Sequence, residues 1–527
     1  MATTLTRDEV GSRILAGEHL LVFRGAVLRV PQFWLDAHPG GGLSILHYVG
    51  RDSTDEIEAY HADSIIPMVE KYTIGRLQDQ LNPWEPFFPP VMGGWNFAAG
   101  KWTRTAELDA SRTLLHESKP QNVAPTLLDI TPPDSPMDLQ EQALLSKHWK
   151  ELHQRIKDLG LYQCRYITGY GPEFARYSTL GFLSWYTFQQ GWIMTSAVFL
   201  GLLWHQVLFT VHDLGHLGVT GNWSMDRMFA ILIGNLLNGL SIGWWSDNHN
   251  VHHLVTNHPM HDPDIEHLPF FAISPVFFGN VYSTYYKRTM DFDAFAKVVI
   301  SIQHKIFYVV MLFARFNLFR LSYESLYRRA FDTRRARGHG WAWGAEVAAC
   351  VAFWCWFSRV LVACGSWQKA FAYVLVSFAT TSPLHITIVL SHFSMSTAEL
   401  GPKESFAHRQ LRTTTDIYTP QSLDFIHGGL QMQVAHHLFP RVPRHNLRIV
   451  TKMVQEFCDE NEGVEFHEFG FVAGNQEMLG VLRGVAEMVG HFKVFANVAN
   501  TEAMEAVQKK IRKQEVRLGA AQHGRSD

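Results

Sequence analysis

The chain of 527 residues lacks the features of several large protein classes. Its five cysteines show no CxxC or paired spacing, and three lie in apolar sequence, which favours small buried residues over a disulfide framework. The formal net charge of −3 gives no electrostatic reason to expect nucleic acid as a partner. HExxH, the zinc-hydrolase motif, is absent. The first ten residues have no apolar run, so we predict no cleavable signal peptide and a cytosolic N-terminus.

The chain contains long stretches without charged residues. The 35 residues from Tyr177 to Val211 contain no Asp, Glu, Lys or Arg. As one helix they would measure about 52 Å, whereas a membrane span needs only about 20 residues. We therefore predict a two-helix hairpin that turns near Gln189–Gly191, with one long tilted helix as the alternative. The segments Trp341–Ala363 and Phe371–Val389 are predicted to form a second hairpin.

The orientation of these four spans follows from the basic residues. The segment Arg328–Arg337 precedes the second hairpin, and such segments are typical of cytosolic loops, although a merely solvated charge run is the alternative. With four spans, the N-terminus and every histidine cluster described below fall on the cytosolic side. The apolar segments Phe229–Trp245 and Lys305–Tyr323 are therefore predicted to lie in or beside the membrane interface, because one further span would separate the clusters.

Three histidine clusters carry most of the chemical information in the chain. They are His212 and His216, then His249, His252 and His253, then Gln433, His436 and His437. Residues three and four apart on a helix share a face, so each cluster is able to direct its imidazoles at one point. Imidazole binds iron, copper, zinc and nickel. Seven histidines are too many for one zinc and suit a centre with two metals.

The order of these clusters resembles the three histidine boxes of membrane fatty-acyl and sphingolipid desaturases. Gln433, where most relatives have the first histidine of the third box, is typical of the front-end subgroup. The segment Asp36–Gly42 (DAHPGGG), followed by His61, resembles the cytochrome b5 module fused to those enzymes. The resemblance covers almost the whole chain. It implies an α+β cytochrome b5-like haem domain followed by an α-helical integral membrane desaturase domain, with about four spans and a cytosolic, histidine-rich di-iron cap.

The expected domain boundaries follow from this resemblance and from composition. We predict a haem domain over 1–80, a linker and cytosolic helix over 81–170, the desaturase domain over 171–475 and a cytosolic tail over 476–527. The linker begins with the proline-rich and aromatic segment Leu81–Met92. Helical periodicity over 138–165, with Gly160 near its end, predicts the cytosolic helix.

A b-type haem held by two histidines requires one imidazole on each side of the ring, and His38 and His61 are the candidates. Trp34, Ile45, Tyr48 and Val49 are predicted to line its pocket. Two imidazoles leave no open position on iron, so this module is expected to pass electrons. The acidic run Asp52–Glu58 is either a docking face for a basic reductase or an ordinary solvated helix face.

Removal of hydrogen from an unactivated methylene needs a redox metal, because such a C–H bond has no accessible pKa. We predict as iron ligands His212, His216, His249, His252, His253, His436 and His437, with His392 and His427 as further ligands. His205, His258, His261 and His385 are weaker candidates. Asp213, Asn248, Asp262 and Asp264 are expected to orient imidazoles by hydrogen bonds. Gln433 is expected to hold substrate, a water or a hydrogen bond to a ligand.

The resemblance implies an oxygen-dependent front-end desaturase that receives electrons from NADH through a cytochrome b5 reductase and the fused haem. The stretches HDLGHLGVTGNW and HHLVTNHPMHDPDIEHLPFF resemble fungal Δ8-sphingolipid desaturases more than the Δ5 and Δ6 acyl enzymes. The expected substrate is then the long-chain base of a ceramide or glucosylceramide, in the endoplasmic reticulum membrane. The alternatives are a Δ5 or Δ6 fatty-acyl desaturase, a lipid hydroxylase and, outside enzymes, a membrane haem protein that only carries electrons.

Overall fold

The structure is a computed structural model that describes residues 3–105, 124–331 and 340–491. Its N-terminal part is built on a four-stranded sheet with the strand order Thr4–Leu5, Thr73–Leu77, Ala26–Val30 and His19–Phe23. The first pair of strands is parallel and the other two pairs are antiparallel. Five short helices connect and cover the strands: Arg7–Leu15, Gln32–Ala37, Gly42–Leu46, Thr54–Tyr60 and Ile66–Glu70. Consecutive apolar residues of His19–Phe23 and Ala26–Val30 are buried on both faces of the sheet and form the core of this α+β domain.

A linker joins this domain to the rest of the chain. It contains the antiparallel strands Trp95–Ala98 and Lys101–Arg104. The side chain of Phe87, also in the linker, packs against the first domain and is 1% exposed. The helix Leu139–Asp158 begins where Asp138 accepts hydrogen bonds from two backbone amides, and its end is followed by Gly160 at a φ of 68°. This helix lies within the range predicted from periodicity.

The segment without charged residues forms a hairpin of two antiparallel helices, as predicted. Gly171–Gln189 and Ile193–Gly215 flank a turn at Gly191, whose φ of 77° favours glycine. Three helices in the described part of the chain are long and apolar enough to cross a membrane: Ile193–Gly215, Gly340–Ala363 and Trp367–Leu390. The number rises to five if two bent helix pairs each count as one span.

Both bent pairs lie in or beside the segments for which we predicted an interfacial position. Trp223–Leu237 meets Ile242–Leu254 at 113°, and Ala294–Ser301 meets Gln303–Leu312 at 97°. The Ala314–Ala330 helix follows the second pair. The predicted basic segment is described as far as Phe331, and residues 332–339 lie outside the described residues.

A buried carboxylate positions the helix that carries the second histidine cluster. Glu346, on the Gly340–Ala363 helix, is 1% exposed and accepts hydrogen bonds from the Ser241 hydroxyl at 2.5 Å and the Gly243 amide at 3.0 Å. Arg227 lies 3.6 Å from the same carboxylate. Because these donors satisfy its carboxylate, Glu346 is tolerated within an apolar helix. The same hydrogen bonds fix the start of the neighbouring helix, Ile242–Leu254.

Short elements complete the remainder of the fold. The strand pairs are Val281–Ser283 with Arg288–Met290, antiparallel, and Asp416–Tyr418 with Glu468–Gly470, parallel. The helices are Ser382–Leu390, Phe406–Thr413, Asp424–His427, Gln433–Leu438 and Leu447–Glu460. Residues 471–491 are helical, and Met478, Leu482 and Val489 bury their side chains against Ile265 and Phe271. The expected boundary at 475/476 therefore falls inside a packed helix, and residues 492–527 lie outside the described residues.

Candidate metal centre

The three histidine clusters lie where helices end. His212 and His216 lie at the end of Ile193–Gly215, and the second cluster occupies the last two turns of Ile242–Leu254. His436 and His437 lie on the short helix Gln433–Leu438. A helix end allows a side chain to reach beyond its own helix, and three such ends meet here.

The imidazoles converge in two groups. His212, His216, His249 and His436 form the first group, and His252, His392 and His437 form the second. Within each group the candidate ligand atoms all lie within 4.8 Å of one another. Two nitrogens bound to one metal at about 2 Å each are at most about 4 Å apart, so small movements would close either group around an ion.

His253 lies between the two groups. Its Nε2 is 3.0 Å from Nε2 of His249, and its ring is stacked on that of His437 with the ring centres 4.0 Å apart. Its ring centre is also 4.8 Å from those of His216 and His436. His253 therefore contacts both groups.

The donor atoms fit a metal centre. Within the described residues, Nε2 of His212, His216, His436 and His437 is buried without a hydrogen-bond partner. Burial first, and the neighbouring imidazoles second, hold the pKa of His216, His436 and His437 well below the usual value. Such imidazoles are neutral and offer a lone pair, which is the form that binds a metal. A buried cluster of unpaired nitrogens is costly without an ion.

Hydrogen bonds at Nδ1 orient the imidazoles of the second group. Asp262, fully buried, accepts from His252 Nδ1 at 2.9 Å, and the carbonyl oxygen of Thr413 accepts from His392 Nδ1 at 3.2 Å. His437 Nδ1 lies 3.0 Å from Oε1 of Gln410, whose Nε2 donates to the carbonyl oxygen of His253 at 2.7 Å. Because each partner atom accepts, Nδ1 carries the proton and Nε2 is left for the metal.

The other residues that we expected to orient imidazoles, Asp264, Asn248 and Asp213, differ from one another in their contacts. Asp264 Oδ2 lies 3.5 Å from His249 Nδ1, and Asn248 donates to the same carboxylate. Asp213 Oδ1 is 3.7 Å from His212 Nδ1, but its other oxygen bonds Arg444 at 3.1 Å and the hydroxyl of Tyr170 at 2.6 Å. Asp213 is thus mainly part of a buried ion pair.

The remaining candidate ligands lie outside both groups. His427 Nδ1 is 3.4 Å from the Thr387 hydroxyl, and its ring contacts that of Phe471 at 6.0 Å. Three of the four weaker candidates pair elsewhere: His205 with the carbonyl of Ile426, His258 with Glu399 and His261 with Thr284. The fourth, His385, has an Nε2 that is buried without a hydrogen-bond partner among the described residues, and it belongs to neither group. Sequence analysis missed Gln410 and Trp245, whose ring is stacked on His249 at 4.4 Å. No sequence signal marks either residue, because Gln410 is far from the boxes in the chain and Trp245 carries no metal-binding atom.

A cavity of about 930 Å³ adjoins the metal centre. Its wall includes His212, His249, His252, His392 and Gln433. Leu208, Leu240, Val310, Met311, Leu384 and Ile388 supply apolar lining, and Glu266, Tyr286, Arg288, Asp291, Asp293 and Arg320 supply polar lining. Arg288, Asp291 and Arg320 are exposed and mark the mouth. A cavity of this size, with an apolar wall and a polar mouth, suits an amphipathic ligand.

The N-terminal domain contains a second, separate site. The ring centres of His38 and His61 are 5.9 Å apart, close to the roughly 6 Å expected for two imidazoles on opposite sides of one metal. His61 Nδ1 lies 3.0 Å from the carbonyl oxygen of Ile57, and Trp34 packs edge-on against His38. The pair fits a haem iron. Tyr48, expected in the haem pocket, instead donates to the carbonyl oxygen of Leu254 at 3.0 Å, across the domain interface.

This domain packs directly against the helix that carries the second box. A Cβ at Gly40 would lie 3.2 Å from Nδ2 of Asn250, so the haem-ligand loop approaches that helix closely. Tyr60, next to the candidate haem ligand His61, has its ring centre 6.2 Å from that of His253. The two candidate redox sites are thus joined through adjacent side chains.

The acidic run Asp52–Glu58 is partly buried in this interface. Asp55 pairs with Lys150 of the Leu139–Asp158 helix at 3.2 Å, and Glu56 is 7% exposed. Burial raises the pKa of Glu56 to about 8. These two carboxyls therefore contact the rest of the chain, and they are not available as a solvated face.

Comparisons with known proteins agree with this architecture. A profile of the fatty acid desaturase family matches residues 190–469, and one of the cytochrome b5-like haem/steroid-binding domain matches residues 6–78. The chain belongs to the fatty acid desaturase family and carries a fused cytochrome b5-like domain. It is therefore a membrane desaturase, and the fold class predicted from the sequence is confirmed.

Particular relatives extend over nearly the whole chain. A "Delta 8-(E)-sphingolipid desaturase" of Emericella nidulans is 40% identical over 92% of this chain and 95% of the relative. The protein of the same name from Lachancea kluyveri is 39% identical, over 92% and 94%. A "Delta(8)-fatty-acid desaturase 2" of Arabidopsis thaliana is 30% identical, over 87% and 88%.

Proposed function

We propose that this chain introduces a Δ8 double bond, in the E configuration, into the long-chain base of a sphingolipid. The observation that carries this proposal is the pair of histidine groups beside an amphipathic cavity, with a haem-binding domain packed on the same helix. The names and full-length similarity of the fungal relatives support the position and substrate of the reaction.

Eight histidines are the iron ligands in this proposal. His212, His216, His249 and His436 hold one iron; His252, His392 and His437 hold the other; and His253 completes the centre between them. His427 is left out because it contacts Thr387 and Phe471. The irons, when bound, supply the oxidising power that removes two hydrogens from an unactivated –CH2–CH2– unit. Two electrons from the substrate and two from NADH reduce O2 to two waters.

The charges along the cavity favour a sphingolipid over an acyl-CoA. Its lining carries two arginines, Arg288 and Arg320, against three carboxylates: Asp264, Asp291 and Asp293. Glu266 is left out of this balance because burial raises its pKa and favours its neutral form. A coenzyme A ester brings several phosphate charges, which a net negative lining repels. The head of a ceramide presents hydroxyl and amide groups without charge, which this lining accommodates.

The electron path and location follow the same proposal. His38 and His61 would hold a haem that passes electrons from NADH, through a cytochrome b5 reductase, to the metal centre. The protein resides in the endoplasmic reticulum membrane, with the haem domain and the histidine groups on the cytosolic side. The three apolar helices are consistent with a multi-pass membrane protein.

Lipid mass spectrometry tests this function. The chain is expressed in a host that lacks Δ8-unsaturated sphingolipids, and long-chain bases lighter by two hydrogens, with the bond at C8, are the expected product. A new double bond in fatty acids alone would refute the substrate, and a gain of one oxygen would identify a hydroxylase. His252→Ala and His436→Ala should abolish the product and leave the haem absorption spectrum unchanged; desaturation retained in either variant would contradict the ligand assignment.

A further inference from the structure

A buried carboxyl group without a hydrogen-bond partner lines the cavity. Glu266 is 6% exposed, and neither of its carboxyl oxygens meets a donor with hydrogen-bond geometry among the described residues. It lies on the loop that follows the second histidine cluster, and it lines the same cavity as His249, His252 and His392. The proposed reaction assigns it no role.

The neighbours of Glu266 do not satisfy it. Ser283 is the polar side chain that faces it, and burial together with Asp262 and Asp264 raises its pKa despite that contact. Arg288 lines the same cavity but lies over the ring of Tyr286, 5.4 Å from its centre, and no ion pair joins it to Glu266 in the described structure. A buried carboxyl in this position costs stability, which a ligand with hydrogen-bond donors would recover.

The donors that fit belong to the head of a long-chain base. In a ceramide, whatever its headgroup, the long-chain base carries a hydroxyl at C3 and an amide N–H at C2, and neither is charged. We propose that Glu266 determines substrate specificity by accepting hydrogen bonds from these two groups. This inference rests on the proposed function, since it assumes that a sphingolipid occupies the cavity.

A fixed head also determines where the double bond forms. If Glu266 holds C2 and C3, the distance along the cavity from Glu266 to the histidines sets the number of carbons between that point and the metal centre. Loss of this contact lets the chain slide relative to the histidines. A purely structural role for Glu266 would change stability and leave the position of the double bond unchanged.

The test uses the full chain in detergent, with the variants Glu266→Leu and Glu266→Gln. Leucine keeps the size and removes the polar atoms, whereas glutamine keeps an acceptor. Glu465→Leu is the matched control, because the side chain of Glu465 is 84% exposed and does not line the cavity. Equilibrium binding is measured with labelled dihydroceramide, its 3-deoxy analogue and its N-methyl analogue, and the haem spectrum checks folding.

We expect Glu266→Leu to weaken dihydroceramide binding about tenfold, as for the loss of one or two hydrogen bonds to a buried carboxyl. It should weaken binding of the two analogues by less, because each analogue carries only one of the two donors, and its product should contain bonds at positions other than C8. Glu266→Gln should stay within about threefold, and Glu465→Leu should be unchanged. Equal weakening for all three lipids, with the bond still at C8, would overturn the inference.

Two results distinguish a failure of this inference from a failure of the proposed function. If the unmodified chain binds dihydroceramide no better than its analogues and desaturates only fatty acids, the substrate proposal itself fails. If it desaturates dihydroceramide at C8 and Glu266→Leu does the same with unchanged affinity, only the role of Glu266 fails.

Discussion

Replacement of Asp262 by asparagine should weaken iron binding without loss of the fold. The Asp262 carboxylate is fully buried and accepts three hydrogen bonds: from His252 Nδ1 at 2.9 Å, from the Asn257 amide at 2.7 Å and from the Asp264 amide at 2.8 Å. Asparagine keeps one acceptor oxygen, and its NH2 group must then face at least one of these donors. Asp262→Asn therefore either turns the His252 ring or reverses its tautomer.

The size of the effect follows from those contacts. Loss of a partner that orients a metal ligand typically costs 10- to 100-fold in metal affinity or activity, which corresponds to about 1.4–2.7 kcal/mol. One buried amide left unpaired costs a further 1–3 kcal/mol or so of folding stability. Both costs arise at the second histidine group, so the haem site should be unaffected.

The assay is iron content per chain during titration with a ferrous chelator, with the haem spectrum as an internal reference. Asp138→Asn is the control, because Asp138 caps a helix for which asparagine is an equally good cap. We expect Asp262→Asn to release iron at 10- to 100-fold lower chelator concentration, and Asp138→Asn to match the unmodified chain. Equal iron retention in both variants would show that Asp262 does not orient a ligand.

Two further predictions concern stability. Burial raises the folded-state pKa of Glu56 to about 8 from its usual 4.5, in spite of Arg51. The contribution of Glu56 to folding stability is therefore full below pH 4.5 and is lost as the pH rises to 8. Glu56→Gln should therefore raise the melting temperature at pH 8 and change it little at pH 5; equal effects at both would contradict the assignment. Arg444→Met removes the arginine that neutralises the buried carboxylates of Glu173 and Asp213 and should destabilise the chain by about 3–5 kcal/mol in denaturant unfolding, with partial recovery in Arg444→Met combined with Glu173→Gln.

The sequence predicted features that depend on local spacing. The hairpin around Gly191 follows from the length of an uncharged stretch, and the common face of the imidazoles within each cluster follows from helical periodicity. Each of these patterns is carried by residues close together in the chain, whereas the meeting of the three clusters was expected from the family resemblance. The approach of His38 to His61 was expected from the family resemblance alone.

Features that depend on packing between distant segments were not predictable. His249 and His252 lie one turn apart on one helix and share contacts near Asp264, yet His249 also meets His212, His216 and His436, whereas His252 meets His392 and His437. Gln410 reaches His437 from another helix. The acidic run was expected to be solvated or to dock a reductase, whereas Asp55 and Glu56 are covered by the rest of the chain.

The packing of the haem domain on the second-box helix has a kinetic consequence. The buried hydrogen bond from Tyr48 to the carbonyl oxygen of Leu254 and the ion pair of Asp55 with Lys150 join parts of one polypeptide. The effective concentration of the electron donor at the metal centre is therefore set by the chain and is independent of how much protein the membrane contains. In the proposed electron path, dilution in the bilayer would slow only the encounter of the haem domain with a separate reductase.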